Sequence, residues 1–274
     1  MTSQTPTSRG TSRNMLSILI IPAASALPSI YTKVVSEVAA HGYDIKALHI
    51  PSVGLPGGPR LGDPPSMYDD AAFIASHIAE LADAGRDVLL VTHSYGGTPA
   101  TESVKGLSKI ERTKNGLPGG VIGLAYMTSL VPEVGKPAST KSLSPLMETD
   151  EDGWFYYPDN KLVANIVFSD LPQEQGEALA TQLVPHSEAS FRSPLTYAGY
   201  NDVPVWYLVA EGDKSISPET QRSQISMIEQ TSENKVDVAV TGAGHVPPVT
   251  APKDVSDWIL AVVSKLGEGQ AETT

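Results

Sequence analysis

The chain has 274 residues, 41% hydrophobic and 18% charged, with 31 acidic against 19 basic side chains and a formal net charge of −12. That size supports a sizeable core, and the acidic balance excludes the basic footprint of a nucleic-acid binder and any attraction to anionic membranes. No cysteine is present, which excludes disulfides, thiolate metal sites and a cysteine nucleophile.

Residues 1–14, "MTSQTPTSRGTSRN", are polar and rich in Ser and Thr, the composition of a disordered tail. Next comes "SILII", Ser17–Ile21, short, β-branched and closed by Pro22, which reads as a strand rather than a signal sequence. From there strands and helices alternate. The expected strands are Ser17–Ile21, Asp44–His49, Asp87–Thr92 and Val121–Thr128, and the helices between them Ile30–His41, Met67–Ala84 and Gly97–Lys105. In "MYDDAAFIASHIAELADAG" apolar residues recur at three- and four-residue steps until Gly85, placed as a helix-ending glycine. Such alternation predicts an α/β fold with a mostly parallel sheet covered on both faces. "GLPGG" occurs twice, at Gly54–Gly58 and Gly116–Gly120; both copies read as turns, not as a nucleotide-binding loop, and neither cofactor nor metal is expected.

The alternation stops over residues 133–202. About seventy residues are too many for a plain loop, so this stretch is read as a cap between two core segments, 15–132 and 203–266. It contains at least one expected helix, around Gln173–Leu183, and many aromatics, among them Trp154, Tyr157 and Phe168. Strands Val203–Ala210 and Lys235–Val240 and helices Pro218–Gln230 and Pro252–Lys265 complete the core, and residues 267–274 read as a polar tail. No apolar run approaches the eighteen or so residues of a membrane span, so a cytoplasmic protein is expected.

The chemistry lies in "VTHSYGG", Val91–Gly97. A strand ending in small residue–x–Ser–x–Gly suggests a sharp turn that presents Ser94 at the carboxyl edge of the sheet. A serine needs a base, and the base an orienting carboxylate. At the same edge, "WYLVAEGDKSISP" brings Glu211 and Asp213, and "VAVTGAGHVPP" brings His245 on a glycine-flanked loop. The order Ser94, Asp213, His245 is that of a hydrolase triad, with Glu211 the alternative acid. The first turn, "IIPAASALPSIY", would supply one oxyanion donor from the amide of Ala23, and Tyr95 the other. Substrate contacts are expected from Ala24, His93, Trp154, Tyr157, Phe168 and Val246, with the His93 side chain turned away from Ser94.

"ILIIPAASALPSIYTKVV", "VTHSYGGTPA", "LVAEGDKSISPE" and "GAGHVPP" resemble the α/β-hydrolase superfamily, and within it the small branch of plant methyl esterases and hydroxynitrile lyases. The resemblance implies a six-stranded sheet with a helical cap between the sixth and seventh strands of the fold. In this family the oxyanion turn usually opens with histidine; here Pro22, Ala23 and Ala24 stand. Cyanohydrin-cleaving relatives carry a lysine after the triad histidine, where this chain has Val246. A serine hydrolase of a small or medium ester or lactone is therefore expected, with no nucleic-acid or membrane partner. The same triad used for lyase, C–C cleavage or cyclisation chemistry, or a small-molecule receptor with a silent triad, are the alternatives.

Overall fold

The structure is a computed structural model that describes residues 15–138, 146–232 and 234–271; the predicted tail 1–14 and the last three residues lie outside them. The elements in chain order are β1 (Leu16–Ile21), α1 (Thr32–Ala40), β2 (Asp44–Ala47), α2 (Met67–Asp83), β3 (Asp87–His93), α3 (Gly97–Ser103), α4 (Lys109–Lys114) and β4 (Gly120–Met127). After β4 follow β5 (Glu148–Thr149), β6 (Trp154–Tyr156), α5 (Asn160–Ile166), α6 (Gln173–Ala180), β7 (His186–Ser187) and α7 (Glu188–Arg192). The chain closes with β8 (Val205–Ala210), α8 (Pro218–Ser232), β9 (Val236–Thr241), α9 (Pro247–Thr250) and α10 (Pro252–Ala271).

One six-stranded sheet, in the order β2-β1-β3-β4-β8-β9, forms the centre, and all of its pairings are parallel. Its strands read as near-continuous apolar runs because both faces are covered. In β1, Leu19 and Ile21 join a cluster with Ile74 and Ile78 of α2 and Ile225 and Ile228 of α8. The intervening Ile18 and Ile20 join the opposite layer with Val34 and Val38 of α1 and Ile259 and Val262 of α10. The period of two in the strand thus feeds two separate hydrophobic layers.

Local chemistry sets the helix ends. Ser66 caps α2 through the Asp69 amide while the Asp69 carboxylate returns to the Ser66 amide, and Gly85 follows the helix at φ +80°. The predicted Ile30–His41 helix opens with a 3-10 turn over Pro28–Tyr31. α10 runs on to Ala271, through part of the predicted tail, because Gly267 keeps a helical φ instead of the positive φ that ends a helix.

Residues 133–202 form an insertion between β4 and β8. It is not purely helical as expected: beside α5, α6 and α7 it holds a small antiparallel sheet ordered β5-β6-β7. Strands of two or three residues that pair across thirty sequence positions, as Trp154 does with Ser187, leave no periodic signal. No helix among the described residues is long and apolar enough to cross a membrane.

Candidate active site

Strand β3 runs buried to its end and then turns sharply. Ser94 sits at φ +52°, a left-handed conformation that non-glycine residues adopt only under constraint. The turn is tight because the chain behind it must touch other backbone: a Cβ on Gly96 would lie 2.5 Å from the Ile21 carbonyl oxygen, and one on Gly97 would lie 2.7 Å from that of Leu130. The two glycines after the serine therefore answer a steric demand of the fold. In front of the turn, Thr92 is accommodated by a 2.7 Å hydrogen bond to Ser129.

Three side chains meet here. The Ser94 Oγ lies 3.0 Å from His245 Nε2, and His245 Nδ1 lies 2.9 Å from Asp213 Oδ2. All three are buried. A carboxylate facing Nδ1 selects the tautomer with its proton there, leaving Nε2 to accept from the serine hydroxyl. Asp213 is fixed in turn: its Oδ1 accepts from the Ser215 and Ile216 amides at 2.8 Å each, and Gln221 donates to Oδ2 at 3.2 Å. Gln221 is fully buried and also bridges Ala210 and the Ile216 carbonyl. Glu211, the alternative acid, faces outward and pairs with Arg222.

The loop of His245 is held from below. Its carbonyl accepts from His93 Nε2 at 2.8 Å and from the Thr128 hydroxyl at 3.2 Å. Since Nε2 of His93 donates, Nδ1 accepts, and it does so from the Tyr31 hydroxyl at 2.9 Å. Burial, and after it the nearby His245, push the His93 pKa down to about 3, so this imidazole is neutral. The Tyr31 hydroxyl also accepts from the amide of Ala23 at 2.9 Å. This alters the expected oxyanion turn: the Ala23 amide is already engaged, whereas that of Ala24 has no hydrogen-bond partner among the described residues.

A second buried network lies behind Tyr95. Asp70 accepts from the Ser52 amide (2.8 Å), the Ser52 hydroxyl (2.5 Å) and the Tyr95 hydroxyl (2.6 Å). Loss of water raises its pKa to about 7 in spite of those donors. The Tyr95 ring packs against Phe191 and His186 of the insertion. His186 accepts from the Ser25 amide at Nδ1 and donates from Nε2 to Ser190, and burial pushes its pKa down to about 3.

Ser94 and His245 open into a cavity of about 230 Å³. Ala23, Ala24, His93, Tyr157, Phe168 and Val246 border it. Trp154, expected among the contacts, does not: it is buried within the small sheet and is absent from the cavity wall, whereas its neighbour Phe155 joins the main core. Successive strand residues face opposite ways, so an aromatic run cannot all reach one pocket. Leu146, Met147, Leu183 and Phe191 line the cavity without having been anticipated. Leu146, Met147 and Leu183 lie outside regular elements and carry no sequence signal. Gln221 and Tyr31 were missed too, for each reads locally as an ordinary residue in or beside a helix.

Comparison with known proteins bears on the family and the fold. The sequence model described as "Alpha/beta hydrolase family" matches residues 18–258. The chain belongs to the alpha/beta hydrolase family. A probable hydrolase of Phoma sp. is 30% identical over 249 residues, covering 88% of this chain and 96% of the relative. Among solved structures, a pyrethroid hydrolase superposes with a TM-score of 0.72 at 20% identity, covering 93% of this chain and 99% of its own. A methylesterase from Arabidopsis superposes with a TM-score of 0.67 at 16% identity, covering 91% and 99%. At these identities the structural likenesses are likenesses of fold.

Proposed function

We propose that this chain, a hydrolase of the α/β type, cleaves a small or medium uncharged carboxylic ester or lactone through an acyl-enzyme on Ser94. The observation that carries the reading is the continuous string Ser94–His245–Asp213, at 3.0 and 2.9 Å, opening on a largely apolar cavity. The names of its relatives, a hydrolase and a methylesterase, support the same chemistry.

His245 takes the hydroxyl proton as the Ser94 oxygen attacks the carbonyl carbon, and Asp213 stabilises the imidazolium that forms. The tetrahedral oxyanion is received by the Tyr95 amide and by the first turn. There the Ala24 amide is free, and the Ala23 amide serves only if it leaves Tyr31. His245 then protonates the leaving alkoxide oxygen, the alcohol departs, and water activated by the same imidazole releases the acid. Val246, where cyanohydrin-cleaving relatives have lysine, puts an apolar group beside the imidazole and favours hydrolysis over that lyase chemistry.

Release of p-nitrophenol from short-chain esters tests this reading. Wild-type turnover should fall by about 10⁴ or more in Ser94→Ala. A well-folded wild type with no turnover on any ester would overturn it.

A further inference from the structure

Resting on the esterase reading, we infer that Leu183 is the partition that sets how long a substrate arm the active-site cavity accepts. Two surface clefts lie against that cavity, of about 430 and 280 Å³. The first shares only Ile30 and Leu183 with the 230 Å³ chamber; the second shares only Tyr157 and Leu183. Leu183 is thus the one described residue common to all three spaces.

The backbone around it is pinned and its side chain is not. The Leu183 amide donates to Ala180 at 3.2 Å, the Val184 amide to the Ser25 carbonyl at 3.1 Å, and the Gly54 amide to the Pro185 carbonyl at 2.8 Å. Those bonds tie the segment to α6, to the oxyanion turn and to the core. The leucine side chain is half-buried and rests against the apolar cluster that contains Phe168 and Val246. On a fixed backbone, Leu183 stands at both junctions, beside Ile30 at the first and beside Tyr157 at the second.

The chamber chemistry defines what the wall meets. Among the described residues the lining holds no Asp, Glu, Lys or Arg, so an arm with a free carboxylate or ammonium would meet no counter-charge from them. A chamber of about 230 Å³ is small beside the roughly 300–1,000 Å³ of ligand pockets in general. An arm that runs towards either cleft must pass Leu183.

The experiment compares p-nitrophenyl esters of increasing acyl length on wild type, Leu183→Ala and the volume-conserving Leu183→Met. Leu183→Ala should raise kcat/KM for long esters relative to acetate on the order of tenfold, the discrimination typical of apolar pocket contacts. Leu183→Met should keep the wild-type profile. Calorimetric binding of methyl alkanoates to Ser94→Ala, with and without Leu183→Ala, reads the same length limit without turnover. A shifted binding limit in Ser94→Ala, together with a folded wild type that turns over no ester, would uphold the partition and remove the esterase. Unshifted length profiles in folded, active Leu183→Ala would remove the partition and keep the esterase.

Discussion

Asp70 receives three donors and has no ion-pair partner among the described residues. Its pKa is raised from 3.8 to about 7 in the fold, so the protonated form is favoured there. The stability this residue contributes is fully present below about pH 4 and lost as pH rises through about 7. His93 and His186, lowered from 6.5 to about 3, act in the opposite sense, losing stability as pH falls from about 6.5 towards 3. Asp70→Asn isolates the carboxyl, because the histidines are common to both proteins. The Tm difference, variant minus wild type, should grow between about pH 4 and 7 and then level off; a difference independent of pH would contradict the assignment. That Ser94, Asp213 and His245 come together was legible, since a serine, an acid and a histidine at three strand ends form a pattern. Tyr31, Gln221 and Asp70 were not, because each acts through a partner between 8 and 25 positions away in sequence.

At the scale of elements, the six core strands and their intervening helices follow directly from apolar runs bounded by turn residues, which is why their order could be read. The elbow shows what such reading can also foresee. Two glycines after a serine at a strand end imply a close approach, and the structure supplies the surfaces approached. Gly96→Ala places its methyl against the Ile21 and Pro22 carbonyl oxygens, which are backbone and cannot swing aside. The substitution should destabilise the protein by about 1–3 kcal/mol, read as a lower urea midpoint. A midpoint equal to wild type would show that the turn relaxes freely. The insertion was legible only as an interruption. Its strands are too short to show a period, and its pocket residues sit on irregular backbone, so Trp154 was assigned to a cavity that Leu183 and Leu146 border instead.

Across the whole molecule, the insertion is bonded to the loops of the site and does not merely cover them. Asp170, just before α6, accepts from the Gly244 amide at 2.6 Å, next to His245. A Cβ on Gly244 would sit 2.6 Å from that same carboxylate, so the glycine makes room for the contact. Asp170→Ala should lower kcat on the order of tenfold with little change in Tm, since it removes one hydrogen bond to a charged acceptor beside the imidazole. Equal loss of Tm and activity would mark the contact as merely structural. On the other flank, Val184 holds the turn that carries the Ala24 amide. Displacing the insertion from the site would break these two ties. The same two bonds that fasten the insertion therefore brace the loop of His245 and the turn of the Ala24 amide, so the cover of the site is also part of its scaffold.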